Sequence, residues 1–330
     1  MRVGIDVSAL AQTRAGIARY LTNLLPRLER APGLELARLS FGGDNPAATL
    51  ARDLWWYPSR LPRRAARAGL DVLHCPTYRA PFQSRVPLVV TVPDVAVFRL
   101  PNAFPLWTRR YSRIAVPHVV RAARRVIAIS KFTRDELVEV LGVPPEKVRV
   151  VPMAAEGAFT EDGPAAEGNY VLAVGTLEPR KNLRRVAEAT RRAGLELRIV
   201  GATGWGSVQA NGTGVRWLGE VPDRDLAALY RGARCVAYPS LYEGFGIPVL
   251  EAMACGAPVV TSVGSAMEEV AGGAAVLVDP FDPASIASGI EEAASRRDEL
   301  ARLGLERARR YSWDEAARAT AQVYREAAGG

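Results

Sequence analysis

No stretch of this 330-residue chain holds the roughly 18 uninterrupted apolar residues that a membrane-crossing helix requires. The first residues, Met1-Arg2-Val3-Gly4-Ile5-Asp6, lack the basic, apolar, small-residue order of a secretory signal, so a cytoplasmic protein is expected. Cysteine is scarce. The three present, Cys75, Cys235 and Cys255, are far apart and odd in number, which excludes a disulfide framework and a cysteine zinc site and leaves them as small core residues. His74 and His118 are the only histidines, without carboxylate or cysteine companions at ligand spacing, so no metal is expected. There is no phosphate loop ending in Gly-Lys-Ser/Thr and no trio of spaced glycines after the first strand, which argues against those two nucleotide-binding classes. No motif interleaves aromatic and basic residues, and nucleic acid is not an expected partner. Lysine occurs three times, as Lys131, Lys147 and Lys181, among 43 basic residues.

What is present is a soluble composition, 48% hydrophobic, in a chain longer than one core usually supports, so two domains are expected. Charge divides unevenly between them. Residues 1–150 hold 24 basic and 11 acidic side chains, and residues 151–330 hold 19 and 24. Arginines gather at Arg60, Arg63, Arg64 and Arg67, at Arg109, Arg110 and Arg113, and at Arg121, Arg124 and Arg125. Either the first half meets an anionic surface such as a membrane, or the bias follows from a chain that uses arginine almost throughout.

Apolar runs punctuated by turns recur along the chain. Strands are expected at 2–7, 34–39, 71–74, 87–92 and 125–129, with helices near 17–30, 105–123 and 132–141 between them. Residues 152–168, rich in proline and glycine with little periodicity, read as a linker. A second series of strands follows at 170–174, 195–200, 215–218, 235–238 and 258–261. Alternating strands and helices imply parallel sheets wrapped by helices, here an α/β chain of two doubly wound, Rossmann-like domains. Ligands of such sheets sit beyond the carboxyl ends of the strands, so a cleft between the domains would take donor and acceptor.

The segment Ser240–Ser262, SLYEGFGIPVLEAMACGAPVVTS, carries the most chemistry. A strand ends near Pro239, Glu243-Gly244-Phe245-Gly246 forms a loop, and Pro248 suits the first turn of a helix. The first amides of that helix lack intrahelical partners, and glycine lets a ligand approach the backbone closely. Glu243 precedes this seat and Glu251 follows about one turn inside the helix. Carboxylates accept hydrogen bonds in pairs, which suits the vicinal hydroxyls of a hexose or ribose. The competing reading is an ordinary strand-to-helix turn with a solvated glutamate.

In Val174-Gly175-Thr176-Leu177-Glu178-Pro179-Arg180-Lys181-Asn182 a strand ends in a glycine turn and two cations precede a helix. Arg180 offers a planar fork and Lys181 a point charge, together suited to the negative charge on a departing diphosphate. A solvated helix-entry pair is the alternative. Gly16, in the first strand-to-helix loop 11–17, would bring backbone amides toward phosphates or acceptor. The glycine-rich stretch 201–206 stays unassigned. Asp223-Arg224-Asp225 spells a two-aspartate metal pattern, but it opens a helix after Pro222, where aspartate caps free amides.

Together VGTLEPRKNL (174–183), LYEGFGIPVLEAMACGAPVV (241–260) and SWDEAARATAQVYRE (312–326) resemble glycosyltransferase family 4, a retaining family. The resemblance covers nearly the whole chain and is strongest from 170 to 330. It implies the GT-B arrangement, with an acceptor-binding Rossmann-like domain at 1–151, a linker at 152–168, a nucleotide-sugar domain at 169–312, and a last helix at 313–330 crossing back to the first domain. By the same resemblance Glu243 would contact the transferred sugar and Glu251 the ribose. Arg180 and Lys181 would hold the diphosphate, and Gly244, Phe245, Gly246 and Ile247 would line the seat. Two positions depart from the family pattern. Pro93 stands before Asp94 where many members carry histidine, which leaves Asp94 as the nearest polar substitute. Thr176 stands after Gly175 where some relatives carry arginine, which shifts charge compensation onto Arg180 and Lys181.

The resulting expectation is a metal-independent transferase. It would move a hexose, mannose from GDP-mannose, to a glycan or lipid-linked acceptor with retention of configuration. No cofactor beyond the donor is expected, and the basic first domain would touch the inner face of an anionic membrane. A sugar-nucleotide epimerase of the same fold and a non-catalytic glycan- or nucleotide-binding partner are the rival readings.

Overall fold

The computed structural model describes residues 1–11, 16–43, 45–204 and 213–329. They fall into two units, Met1–Met153 with Trp313–Gly330, and Ala154–Ser312. In the first, strands β1 (Arg2–Asp6), β2 (Glu35–Leu39), β3 (Val72–Cys75), β4 (Leu88–Val92), β5 (Arg125–Ala128) and β6 (Val148–Val150) lie in the order β2-β1-β3-β4-β5-β6. In the second, β7 (Tyr170–Val174), β8 (Glu196–Val200), β9 (Val215–Trp217), β10 (Cys235–Tyr238), β11 (Val259–Ser262) and β12 (Val276–Val278) lie in the order β12-β11-β10-β7-β8-β9. Neighbouring strands are parallel throughout. The inner strands β3, β4, β7, β10 and β11 are buried at every position, which is why they read as mostly apolar runs, interrupted by His74, Thr91, Thr261 and Ser262.

All ten strands expected from the apolar runs form, with ends that differ by at most one residue. β6 and β12, three-residue edge strands, are additions to the expected set, while the equally short edge strand β9 is among those expected. The three expected helices form as Gly16–Glu29, Leu106–Ala122 and Lys131–Leu141. A helical run from Pro46 to Arg67 is an addition to them; its middle turns, Arg52–Arg60, are π-helical and enclose Pro58. That run buries Arg52 and Asp53 while exposing Leu54, the reverse of the polarity on which periodicity depends. All three cysteines are free and buried.

Residues 154–168 belong to the second unit and are packed there. Phe159 is buried against the Tyr230 ring at 5.8 Å. The Arg231 guanidinium donates to the carbonyls of Pro164 and Thr160 at 2.8 Å each, and the Ala166 amide donates to the Ala228 carbonyl. Proline and glycine here shape a strap, not a free tether.

The last helix, Trp313–Ala328, packs within the first unit by a stripe of mostly small buried residues, including Ala316, Ala317, Thr320, Ala321 and Ala327. Small side chains allow close approach to the helix Gly16–Glu29, where Trp313 meets Tyr20 edge-on at 6.0 Å. The contact also has a polar centre. His74 of β3, fully buried, shares a hydrogen bond through Nδ1 with the Tyr324 hydroxyl (2.7 Å) and through Nε2 with Thr91 Oγ1 of β4 (2.9 Å). Neutral imidazole offers one donor and one acceptor, which fits two hydroxyls. Burial lowers the His74 pKa to about 3.

The unfolded imidazole titrates near 6.5, so between there and about 3 only the unfolded chain takes up this proton, and His74 subtracts stability as pH falls through that window. The expected loss is about 1.4 kcal/mol per pH unit at most. Denaturant unfolding from pH 7 to pH 4 should show a shallower pH slope for His74→Gln than for the wild type; equal slopes would place the acid sensitivity elsewhere.

Candidate active site

In the second unit the strand order reverses between β7 and β10: the chain moves outward one way through β8 and β9, then the other way through β11 and β12. The loops that leave β7 and β10 diverge at that point and open a crevice at the carboxyl ends of the strands. Both motif segments emerge there.

The loop after β7 turns at Gly175, whose φ of 143° lies outside the usual range of other residues. A Cβ at this position would also press on the Lys181 stem at 3.1 Å. Pro179–Lys181 then makes one 3-10 turn that stops at Asn182, the single non-glycine residue with positive φ (59°) among the described residues. Asparagine tolerates that left-handed conformation better than most side chains. Its buried Nδ2 donates to the carbonyls of Pro239 (3.0 Å) and Pro280 (2.6 Å), and the Leu241 amide donates to the Arg180 carbonyl (2.8 Å). The two loops are thereby tied to each other.

Their union brings Arg180, Lys181 and Glu243 together. Arg180 Nη1 donates to Glu243 Oε2 at 2.8 Å and to the Tyr242 carbonyl at 3.2 Å, and its Nη2 lies 2.9 Å from Glu178 Oε1. Lys181 Nζ donates to Glu243 Oε1 and to the Tyr238 hydroxyl, both at 2.6 Å, and that hydroxyl donates to Glu243 Oε1 at 3.0 Å. One carboxylate therefore grips both cations. Burial would raise the Glu243 pKa, but Arg180 and Lys181 outweigh it and hold it at about 2. Burial lowers the Lys181 pKa, with Glu243 opposing and Arg180 adding to the fall. Burial raises Glu178 against the pull of Arg180 and Lys181, and its Oε2 makes no hydrogen bond among the described residues.

Glu251 sits apart from this grip. It is the fifth residue of the helix Ile247–Ala254, 1% exposed, and its Oε2 accepts from the Tyr230 hydroxyl at 3.1 Å. Gly246 (φ 93°) starts that helix where a Cβ would strike Met267 at 2.6 Å, and Pro248 occupies the first turn. Gly244 and Phe245 are buried, the latter edge-on to Tyr311 at 5.8 Å, while Ile247 and Thr176 are half-buried. Gly16 and Asp94 belong to the first unit. Gly16 is exposed at the start of its helix, next to 12–15, which lie outside the described residues. Asp94 Oδ1 accepts from the Ala96 amide at 3.0 Å, beside the short helix Ala96–Arg99. In the stretch 201–206, residues 205 and 206 also lie outside the described residues.

Sequence reasoning assigns no role to Glu178, Asn182, Tyr230 or Tyr238. For Asn182 a signal exists, an asparagine closing a turn immediately before a helix. Tyr238 and Tyr230 read as ordinary strand and helix residues. Asp223 and Asp225 stand in the first turn of the helix Asp223–Gly232, whose N-cap is Pro222 without a side-chain bond, so their charges complement the helix dipole instead of capping it.

Comparison with known proteins identifies the family and the fold. Residues 158–310 match the family model "Glycosyl transferases group 1", and residues 14–155 match "Glycosyltransferase Family 4". The chain is 30% identical to the O-antigen chain mannosyltransferase B of Escherichia coli, over 98% of this chain and all of that protein. Among solved structures it is similar to the sucrose-phosphate synthase of Thermosynechococcus elongatus, with TM-score 0.78, 20% identity and 98% of each chain covered. It is also similar to Anabaena HepE solved in complex with UDP-glucose, with TM-score 0.73, 18% identity, and 98% of this chain and 99% of that one covered. With the two Rossmann-like sheets of the GT-B fold and a match along its whole length, the chain belongs to glycosyltransferase family 4 and is a glycosyltransferase.

Proposed function

We propose that this glycosyltransferase moves a mannosyl unit from GDP-mannose to a glycan or lipid-linked acceptor, with retention of configuration and without a metal ion. The observation that carries the reading is the pair of cations, Arg180 and Lys181, fixed by one carboxylate at the strand-order reversal. The similarity to an Escherichia coli mannosyltransferase supports the sugar, and the UDP-glucose complex of Anabaena HepE supports a nucleotide-sugar donor as the class.

In this reading the diphosphate binds at the open side of Arg180 and Lys181, whose side chains remain 18% and 10% exposed. Their positions are set before the donor arrives, so no reorganisation opposes charge stabilisation when the sugar–phosphate bond breaks. A guanidinium and an ammonium here take the part a divalent ion plays in other transferases. Glu243 orders the cations and meets the sugar with its remaining acceptor capacity. Glu251, oriented by Tyr230, is assigned to the ribose; a carboxylate has about four acceptor sites, so one tyrosine does not exhaust it. Thr176, Gly244, Phe245, Gly246 and Ile247 line the donor, Gly16 brings backbone amides toward the phosphates or the acceptor, and Asp94 is assigned a catalytic role. The departing phosphate accepts the proton of the attacking hydroxyl, which spares the protein a separate base.

Enzymatic rate enhancement typically needs about 8 kcal/mol or more of differential stabilisation, and one well-placed donor supplies about 3. Lys181→Ala should therefore lower kcat about 100-fold or more in a radiolabelled transfer assay; turnover near that of the wild type would remove Lys181 from the mechanism. A thermal-shift series with GDP, UDP, ADP and their mannose or glucose derivatives should show the largest rise with GDP-mannose. A larger rise with a uridine or adenosine compound would overturn the donor assignment while leaving the diphosphate site intact.

The membrane contact rests on the helix Leu106–Ala122, which contains no acidic residue and exposes Leu106, Trp107, Arg110, Arg113, Ile114 and Arg121. Apolar and basic residues exposed on the same helix suit an anionic bilayer surface. Sedimentation with phosphatidylglycerol vesicles should fall sharply as salt rises from about 0.05 M to about 0.5 M, across which the screening length shrinks about threefold. Salt-independent sedimentation would contradict an electrostatic contact.

A further inference from the structure

The first unit has a second basic feature, at the opposite edge of its sheet from the ends where ligands of such folds gather. Where β4, β5 and β6 begin, a concavity of about 760 Å³ is walled by Arg85, Arg124, Arg125, Lys147 and Arg149, with Glu146 the one acidic residue on its lining. Two of these cations share one counterion: Glu326 of the last helix bridges Arg125 (3.2 Å) and Arg149 (2.9 Å). The rest are not. Arg85, Arg124 and the adjoining Arg121 form no ion pair among the described residues. The half-buried Lys147 donates to the Arg121 carbonyl at 2.8 Å and has no carboxylate within salt-bridge distance among the described residues.

The cost of this crowding is visible on Lys147. Burial lowers its pKa first, and the neighbouring charges of Arg121 and Arg125 lower it further. Like charges held around one hollow repel, and a structural role would have been served by carboxylates, as it is at Glu326. Guanidinium forks present paired donors that match the oxygens of a phosphate, and an ammonium adds a point charge. The volume falls within the range of small-molecule sites and exceeds what a single phosphate fills.

We propose that this hollow is a binding site for a phosphate-rich anion, separate from the donor site and unrelated to the transfer chemistry. The ligand is a compound with two or more adjacent phosphoryl groups or a phosphodiester, in free form or as a lipid head group. Because Glu326 holds two of the walls, an anion that competes for Arg125 and Arg149 would loosen the last helix, which gives the site a route to influence the first unit.

Inorganic tripolyphosphate and phosphatidylglycerol vesicles are the two probes, measured by calorimetry and by sedimentation, on the wild type, Lys181→Ala and Arg85→Ser/Arg124→Ser. Lys181→Ala, which removes a donor-site cation, should keep one tripolyphosphate site. Arg85→Ser/Arg124→Ser should lose about tenfold or more of that affinity for each guanidinium removed while retaining glycosyl transfer. Hydrogen exchange of 121–125 and 145–149 should slow on addition of tripolyphosphate. If the double variant loses vesicle binding and the wild type shows no tripolyphosphate site, the ligand is the lipid head group. If the double variant binds both probes as the wild type does, or if the only tripolyphosphate site vanishes in Lys181→Ala while vesicle binding is untouched by Arg85→Ser/Arg124→Ser, the site does not exist.

Discussion

The Glu243 carboxylate, shared between Arg180 and Lys181, is the interaction on which the candidate site depends. Two cations side by side under low exposure repel each other, and a lysine so placed would tend to shed its proton. Glu243 opposes that tendency at Lys181. Its own ionisation is secured in return, with its pKa held at about 2 by Arg180 and Lys181. Glu178 and Tyr238 complete the shell, and the cluster contains two cations and two carboxylates. A near-neutral cluster costs less to bury than a bare pair of cations.

That set exists because of chain topology. Arg180 and Lys181 come from the loop after β7 and Glu243 from the loop after β10, 63 and 62 positions apart in sequence and adjacent in the sheet. Adjacency alone leaves a loop free to drift. Asn182 removes that freedom by reaching the carbonyls of Pro239 and Pro280, and the Leu241 amide closes on the Arg180 carbonyl. Gly175 and Gly246 keep room for the Lys181 stem and for Met267. Site and scaffold are thus specified by the same few turn residues.

The same division between strand and turn decides how much of the molecule is legible in its sequence. Buried parallel strands such as Tyr170–Val174 and Cys235–Tyr238 announce themselves as apolar runs with turn residues at their ends, and so do the helices whose buried faces keep a 3.6-residue period. The edge strands β6 and β12 offer only three residues each, and the π-helical stretch Arg52–Arg60 does not keep a 3.6-residue period. At the site, charged residues in glycine-bounded turns point to Arg180, Lys181 and Glu243. Which atoms meet is not legible, because a hydrogen bond between Tyr238 and Glu243, or between Tyr230 and Glu251, depends on side-chain direction across elements that the linear order does not encode. Glu243 and Glu251 look equivalent in sequence and are not: one orders two cations, the other is bound by a tyrosine inside a helix–helix contact.

The uneven charge of the chain acquires a physical sense from the same geometry. The cations at the strand-order reversal lie in the half with more acidic than basic residues, 24 against 19. Any anion recognition there would have to come, against a net charge of the wrong sign, from two donors held at short range where the field of a neighbouring group exceeds that of a diffuse surface. In the first half the situation is inverted: net charge is strongly positive, but Arg27, Arg38 and Arg99 are spent on ion pairs with carboxylates of the same unit. Where arginine outnumbers its partners, along Leu106–Ala122 and at the start of β4, β5 and β6, positive charge remains without a counterion among the described residues. Diffuse net charge and paired charge fixed by hydrogen bonds are thus different physical features, and they lie on different units: the uncompensated arginines on the first, the cation pair held by Glu243 on the second.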